Sequence, residues 1–199
     1  MLAHAQGGLL NQARLASSLA VSAPAIGRYV DLLVDLLLVR RLPPWSGNVG
    51  KRLVRSPKVY VRDSGLVHAL LELETWEDVL GHPVAGPSWE GFVIENLVAA
   101  AGERRTPSFY RTEDGAEVDL VFERGGSVEM AVEIKRTTAP SVSRGFARAS
   151  IPSARTTPTW STPGARPGPP MVAQGRPRSF QGHPHFQQRG VPSHSLSFP

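Results

Sequence analysis

The chain has 199 residues, room for one or two modest domains, and no cysteine, which excludes a disulfide framework and a thiolate zinc site and fits a reducing cytoplasm. Its net charge is +5, but residues 1–150 hold 17 Lys and Arg against 17 Asp and Glu, so the excess belongs to residues 151–199, with five arginines and no acid. The basic total is therefore no argument that the body of the chain binds nucleic acid. No apolar run reaches membrane-spanning length, since Val30–Val39 is short and interrupted by Asp31 and Asp35, and the first residues lack a signal-peptide layout.

Residues 1–62 read as a winged helix-turn-helix. Asn11–Leu19 has apolar residues at helical spacing, and Val21-Ser22 breaks it. Ser22 caps a second helix with Pro24 in its first turn, and Ile26, Tyr29, Val30, Leu33, Leu36 and Leu37 form its expected buried stripe. Pro43-Pro44 ends the helical region, and Lys51–Arg55 and Lys58–Arg62 are the two expected wing strands. On this reading Arg28 in the second helix faces DNA bases, while Lys51, Arg52 and Arg55 reach phosphates. The same module also serves as a protein contact.

Residues 63–87 form a connector with a short helix, Ser64–Leu73. Residues 88–150 carry an α/β core. Ser88 is expected to cap a helix over Trp89–Ala100 anchored by Phe92, Val93 and Leu97. A strand follows at Ser108–Arg111, then Glu117–Val121, a Gly125-Gly126 turn, Glu129–Lys135 and the start of a helix at Ser141. Side chains alternate along a strand, so Glu117 and Asp119 share one face while Val118, Leu120 and Phe122 take the other. Glu133 and Lys135 share a face in the same way. A hairpin of the two strands brings Asp119, Glu133 and Lys135 together on one side.

Those residue types suit hard divalent cations. Carboxylate oxygens bind Mg²⁺, and the metal acidifies a bound water and neutralises charge on a phosphate. A lysine ammonium orients the water or stabilises the developing anion. Glu90 or Glu95 from the preceding helix could complete the set, but five residues place them about 140° apart, so one face presents only one of them. A solvated hairpin face with ordinary Glu/Lys pairing is the competing reading. Gly50-Lys51 is no phosphate-binding loop, because Trp45 and Arg52 stand where glycine and Ser/Thr are needed; the chain is expected to bind no ATP itself.

Residues 151–199 hold ten of the 18 prolines and lack Lys, Asp, Glu, Asn and Tyr. They read as a disordered Pro/Arg-rich tail of the composition that a GC-rich gene gives when translated out of frame.

The ordered motifs carry a resemblance. Leu15-Ala16-Ser17 with Tyr29-Val30-Asp31-Leu32-Leu33, Pro57–Leu66, Gly86–Val93, and Tyr110-Arg111 with Glu117-Val118-Asp119 and Glu133-Ile134-Lys135 together resemble the C-terminal domain of unknown function 4143 of prokaryotic AAA-type predicted ATPases. The resemblance implies an α+β chain: a winged helix, then a PD-(D/E)XK nuclease-like core, truncated before its last strand. It makes Glu90, Asp119 and Glu133 the expected Mg²⁺ ligands, and Lys135, Glu133 and Asp119 the catalytic set. The expected partners are DNA, or a protein such as the absent ATPase core, and no membrane. The alternative is a non-catalytic nucleic-acid or protein-binding module.

Overall fold

The computed structural model describes residues 1–47, 52–136, 143–149, 151 and 155–160. After a short 3-10 turn (Ala3–Ala5) come α1 (Gln12–Leu19) and α2 (Ala23–Asp35), capped by the Asn11 and Ser22 side chains, which accept from the backbone N–H of Arg14 and Ala25. Ile26 and Val30 of α2 pack with Leu10, Leu15, Ala16 and Val59. The expected apolar stripe is only partly buried: Tyr29, Leu36 and Leu37 are exposed. The helix stops at Asp35 because Leu37 takes a left-handed φ of 59°, with the N–H groups of Leu37 and Leu38 closing on Val34 and Leu33.

The chain then enters β1 (Val39–Leu42), antiparallel to β2 (Lys58–Val61). This corrects the first wing strand. Arg52–Arg55 is no strand; Val54 donates to Arg111 and Leu53 bridges Thr112, so the segment runs beside the second sheet instead. Lys51 lies outside the described residues. Arg28, Arg52 and Arg55 are exposed, and Arg52 lies 3.9 Å from Glu113. All four positions of β2 are buried, Lys58 included.

Two short helices follow, α3 (Ser64–Leu70) and α4 (Trp76–Gly81), the latter with a Thr75/Asp78 capping box absent from the expectation. Next is α5 (Ala85–Ala101). It begins before Ser88, so Ser88 is a buried first-turn residue and no cap, and Ile94, fully buried, is the anchor where Phe92 is half exposed. Gly91 lets α5 lie against β2: a Cβ there would meet Gln6 Nε2 at 2.8 Å and Tyr60 Cδ1 at 3.1 Å. Gly91→Ala is expected to cost about 1–2 kcal/mol by overpacking. Urea denaturation checks this, and an unchanged midpoint would refute the close packing.

The main sheet runs β3 (Thr106–Arg111), β4 (Glu117–Arg124), β5 (Ser127–Lys135) and β6 (Arg155–Trp160), in that order. The first three form an antiparallel meander, closed between β4 and β5 by Gly125 and Gly126 at positive φ; β6 is parallel to β5. The architecture is thus α+β. The segment assigned by composition to a structureless tail contains β6, a run of threonines and a tryptophan, which suit strands. The tail from 161 onward, with its out-of-frame reading, lies outside the described residues. A short α6 (Arg144–Arg148), capped by Ser143, lies between β5 and β6 in the chain. Leu120, Phe122 and Val132 pack with Ile94 of α5 on one face, and Val118, Val121 and Ala131 with Phe146 on the other.

Candidate functional site

The site begins with an irregularity in β4. Ser108 is opposite Val121 and Tyr110 opposite Val118, so β4 spends three residues where β3 spends two. The extra residue is a bulge at Asp119-Leu120. It explains why Val118 shares a face with Val121 rather than with Leu120 and Phe122, as strict alternation predicts. The pairing of β4 with β5 stops at Leu120 opposite Val132. Just beyond, the Asp119 carboxylate takes the place of a strand partner and accepts from the Ile134 N–H at 2.7 Å. Ile134 is the residue between Glu133 and Lys135.

Around this opening stand the carboxylates of Glu90, Glu117 and Asp119, and their partner is a residue that the sequence reading left as an ordinary strand position. Lys58 of β2, its side chain 4 % exposed, places Nζ 3.0 Å from Glu90, 2.7 Å from Glu117 and 4.0 Å from Asp119. The ammonium also lies over the Phe109 ring, 5.6 Å from its centre. Tyr60, two residues on, donates its hydroxyl to Glu90. Arg111 approaches Glu117 at 3.7 Å.

The electrostatics follow from that crowding. Burial alone would lower the Lys58 pKa, but the charges of Glu90, Glu117 and Asp119 outweigh it and raise the value. Burial, and then the Glu90 charge, push Asp119 up from 3.8 to about 7 against the pull of Lys58. Burial and Glu90 also raise Tyr60, which stays a proton donor.

Glu133 and Lys135 form a neighbouring pair at 2.9 Å, and Glu133 also accepts from the Ser143 N–H at 3.1 Å, at the start of α6. The residues expected to converge therefore fall into two adjoining groups. Glu90 and Asp119 gather on Lys58, Glu133 and Lys135 on one another, and the Ile134 N–H joins the two. Among the described residues Lys135 pairs with Glu133 and not with Asp119. Among the described residues no three Asp, Glu or His side chains are arranged so that they could hold a metal ion, the carboxylates being turned to Lys58, Lys135 and backbone N–H groups. The choice between Glu90 and Glu95 is resolved by partners: Glu95 turns away to Arg40 and Arg62, the latter at 2.8 Å, and these lower its pKa despite its burial.

Lys58 and Tyr60 escaped the sequence reading. The available signal was an imbalance: Glu90, Glu117 and Asp119 had only Lys135 proposed beside them.

Comparison with known proteins adds family matches without an activity. No solved structure matches the chain, and among the described residues no helix is long and apolar enough to cross a membrane. The uncharacterized proteins Rv2008c of Mycobacterium tuberculosis and Mb2031c of Mycobacterium bovis are each 46 % identical over 152 residues, covering 76 % of this chain and 34 % of the relative. The chain thus spans about a third of the length of the curated relatives it matches. Residues 1–77 match the model of a domain of unknown function (DUF8612), and residues 85–164, which hold every carboxylate of the site and reach past β6, match the domain of unknown function DUF4143.

Proposed function

We propose that the β4–β5 opening is a PD-(D/E)XK nuclease-like centre that hydrolyses DNA phosphodiesters with Mg²⁺. In this reading residues 1–62 act as a winged helix-turn-helix, and the chain works beside an AAA-type ATPase core in the cytoplasm. The carrying observation is the 2.7 Å bond from the Ile134 N–H to Asp119, which ties the central acid to the middle of Glu133-Ile134-Lys135. By donor type Asp119 and Glu133 suit the metal, with Glu90 as the third candidate; to hold it together they would have to leave Lys58 and Lys135. Bound there, Mg²⁺ would supply an acidified water and charge neutralisation. Lys135 positions the attacking water or steadies the phosphate as charge builds, and Asp119 must give up its proton to serve as a ligand.

A second reading rests on Lys58. With its ammonium on Glu90 and Glu117, the chain itself already supplies part of the counter-charge that a metal would bring, as suits a non-catalytic docking module. Plasmid cleavage with and without Mg²⁺ separates the two. The nuclease reading expects metal-dependent nicking by the wild type and a loss of at least about a hundredfold in Lys135→Ala. Silence from both proteins selects the docking module, and equal cutting by both removes Lys135 from the site. DNA affinity should also fall steeply with salt; a paired Arg52→Ala, Arg55→Ala change should flatten that slope, and Arg28→Ala should relax sequence preference.

A further inference from the structure

A separate cavity of about 280 Å³ opens where α3, α4 and the start of α5 meet the end of β5. Its walls are mostly apolar and its aromatic residues are Trp76, Trp89 and Phe92, with Leu80 beside them. Trp76, Leu80 and Phe92 are 56 %, 42 % and 46 % exposed, a large area of ring and aliphatic surface left facing water. The Trp89 and Phe92 rings are 5.6 Å apart and inclined at 33°. Ser88, deeply buried, holds the His68 ring at 2.9 Å in the wall. The indole N–H of Trp89 is buried and has no partner among the described residues, an uncommon state for a donor that normally finds an acceptor. Arg136, exposed at the rim, makes no ion pair among the described residues.

We propose that this cavity takes an unpaired nucleobase of a single-stranded nucleic acid, with Arg136 on the adjoining phosphate. The proposal deepens the nuclease reading by naming its substrate class, and rests on that reading for the connection to cleavage. Flat aromatic walls suit a stacked base, and stacking tolerates any sequence. A guanidinium matches a phosphate. In the chain Trp89 precedes Glu90 on α5, and Arg136 follows Lys135 at the end of β5.

The test uses the full chain in EDTA, which prevents cleavage, with fluorescein-labelled oligothymidylate as probe and anisotropy as readout. The wild type should bind the single strand at least about tenfold more tightly than an abasic strand of equal length or the duplex. Trp76→Ala and Phe92→Ala, both at exposed positions, should each lose about tenfold, with Trp76→Phe recovering most of it. An oligouridylate arm distinguishes RNA from DNA as the source of the base. Equal affinity for abasic and base-bearing strands, or no effect of either substitution, overturns the pocket and leaves phosphate attraction. Absence of binding, or displacement of an apolar peptide that nucleotides cannot compete away, overturns it in favour of a protein contact. The two readings fail separately: tight base-dependent binding without Mg²⁺-dependent cutting sinks the nuclease alone, and cutting unchanged by Trp76→Ala and Phe92→Ala sinks the pocket alone.

Discussion

Lys58→Met is expected to destabilise the chain by about 2–3 kcal/mol near neutral pH, the cost of leaving half-buried carboxylates without their buried counter-charge. Methionine keeps the length and apolar stem of lysine, so packing against Phe109 is largely retained and the loss reports on charge. Glu90 and Glu117 lie within 3.0 Å of the missing ammonium; the Tyr60 hydroxyl cannot neutralise Glu90, and Arg111 at 3.7 Å answers Glu117 only in part. Adding Glu90→Gln and Glu117→Gln to Lys58→Met should recover a large part of the deficit, because amides cost far less to bury than unpaired carboxylates. Urea titrations of the three proteins measure both quantities. A Lys58→Met penalty under about 1 kcal/mol would mean that water reaches the cluster freely and that the ammonium is no keystone.

Asp119 sets the second large effect. Its folded pKa of about 7 lies above the ordinary 3.8, so the folded chain holds a proton that the unfolded chain releases. The associated stability is fully present below about pH 4 and drains away as pH rises through about 7. Three pH units correspond to about 4 kcal/mol at most, and relaxation around a coupled cluster brings the expectation to about 2–4 kcal/mol. Stability measured between about pH 4.5 and pH 8 should therefore fall for the wild type, and Asp119→Asn should flatten the profile and be the more stable protein at the alkaline end. A wild-type profile that rises over this interval would place Asp119 among ordinary paired carboxylates.

How much of this was legible depends on where the determinants sit. Ser22 announces its helix by local hydrogen bonding, and the Gly125-Gly126 turn fixes the β4–β5 hairpin, so these read directly from the chain, whereas Asn11, read as part of α1, turns out to cap it. The helix ends did not. Ala20, Leu37 and Glu72 adopt left-handed φ where glycine would normally mark a stop, and without that mark α2 seemed to run into what is β1. The bulge at Asp119-Leu120 shows only in the register with β3, so alternation wrongly grouped Val118 with Leu120. In the site, Glu90, Asp119, Glu133 and Lys135 could be picked out by type and spacing. Their division into two groups could not, because it is decided by Lys58 from 32 residues before Glu90 and by the Ser143 N–H ten residues after Glu133. Long-range partners leave no periodic trace.

The position of Lys58 has an evolutionary corollary. It lies in the stretch matching one family model, and its three acidic partners lie in the stretch matching another. A gene that paired either half with a stranger would inherit an unanswered charge at the seam. Shuffling of these modules is therefore constrained to lineages that keep a cation at the β2 position, and a homologue lacking one should carry a compensating loss of acid at the positions of Glu90 or Glu117.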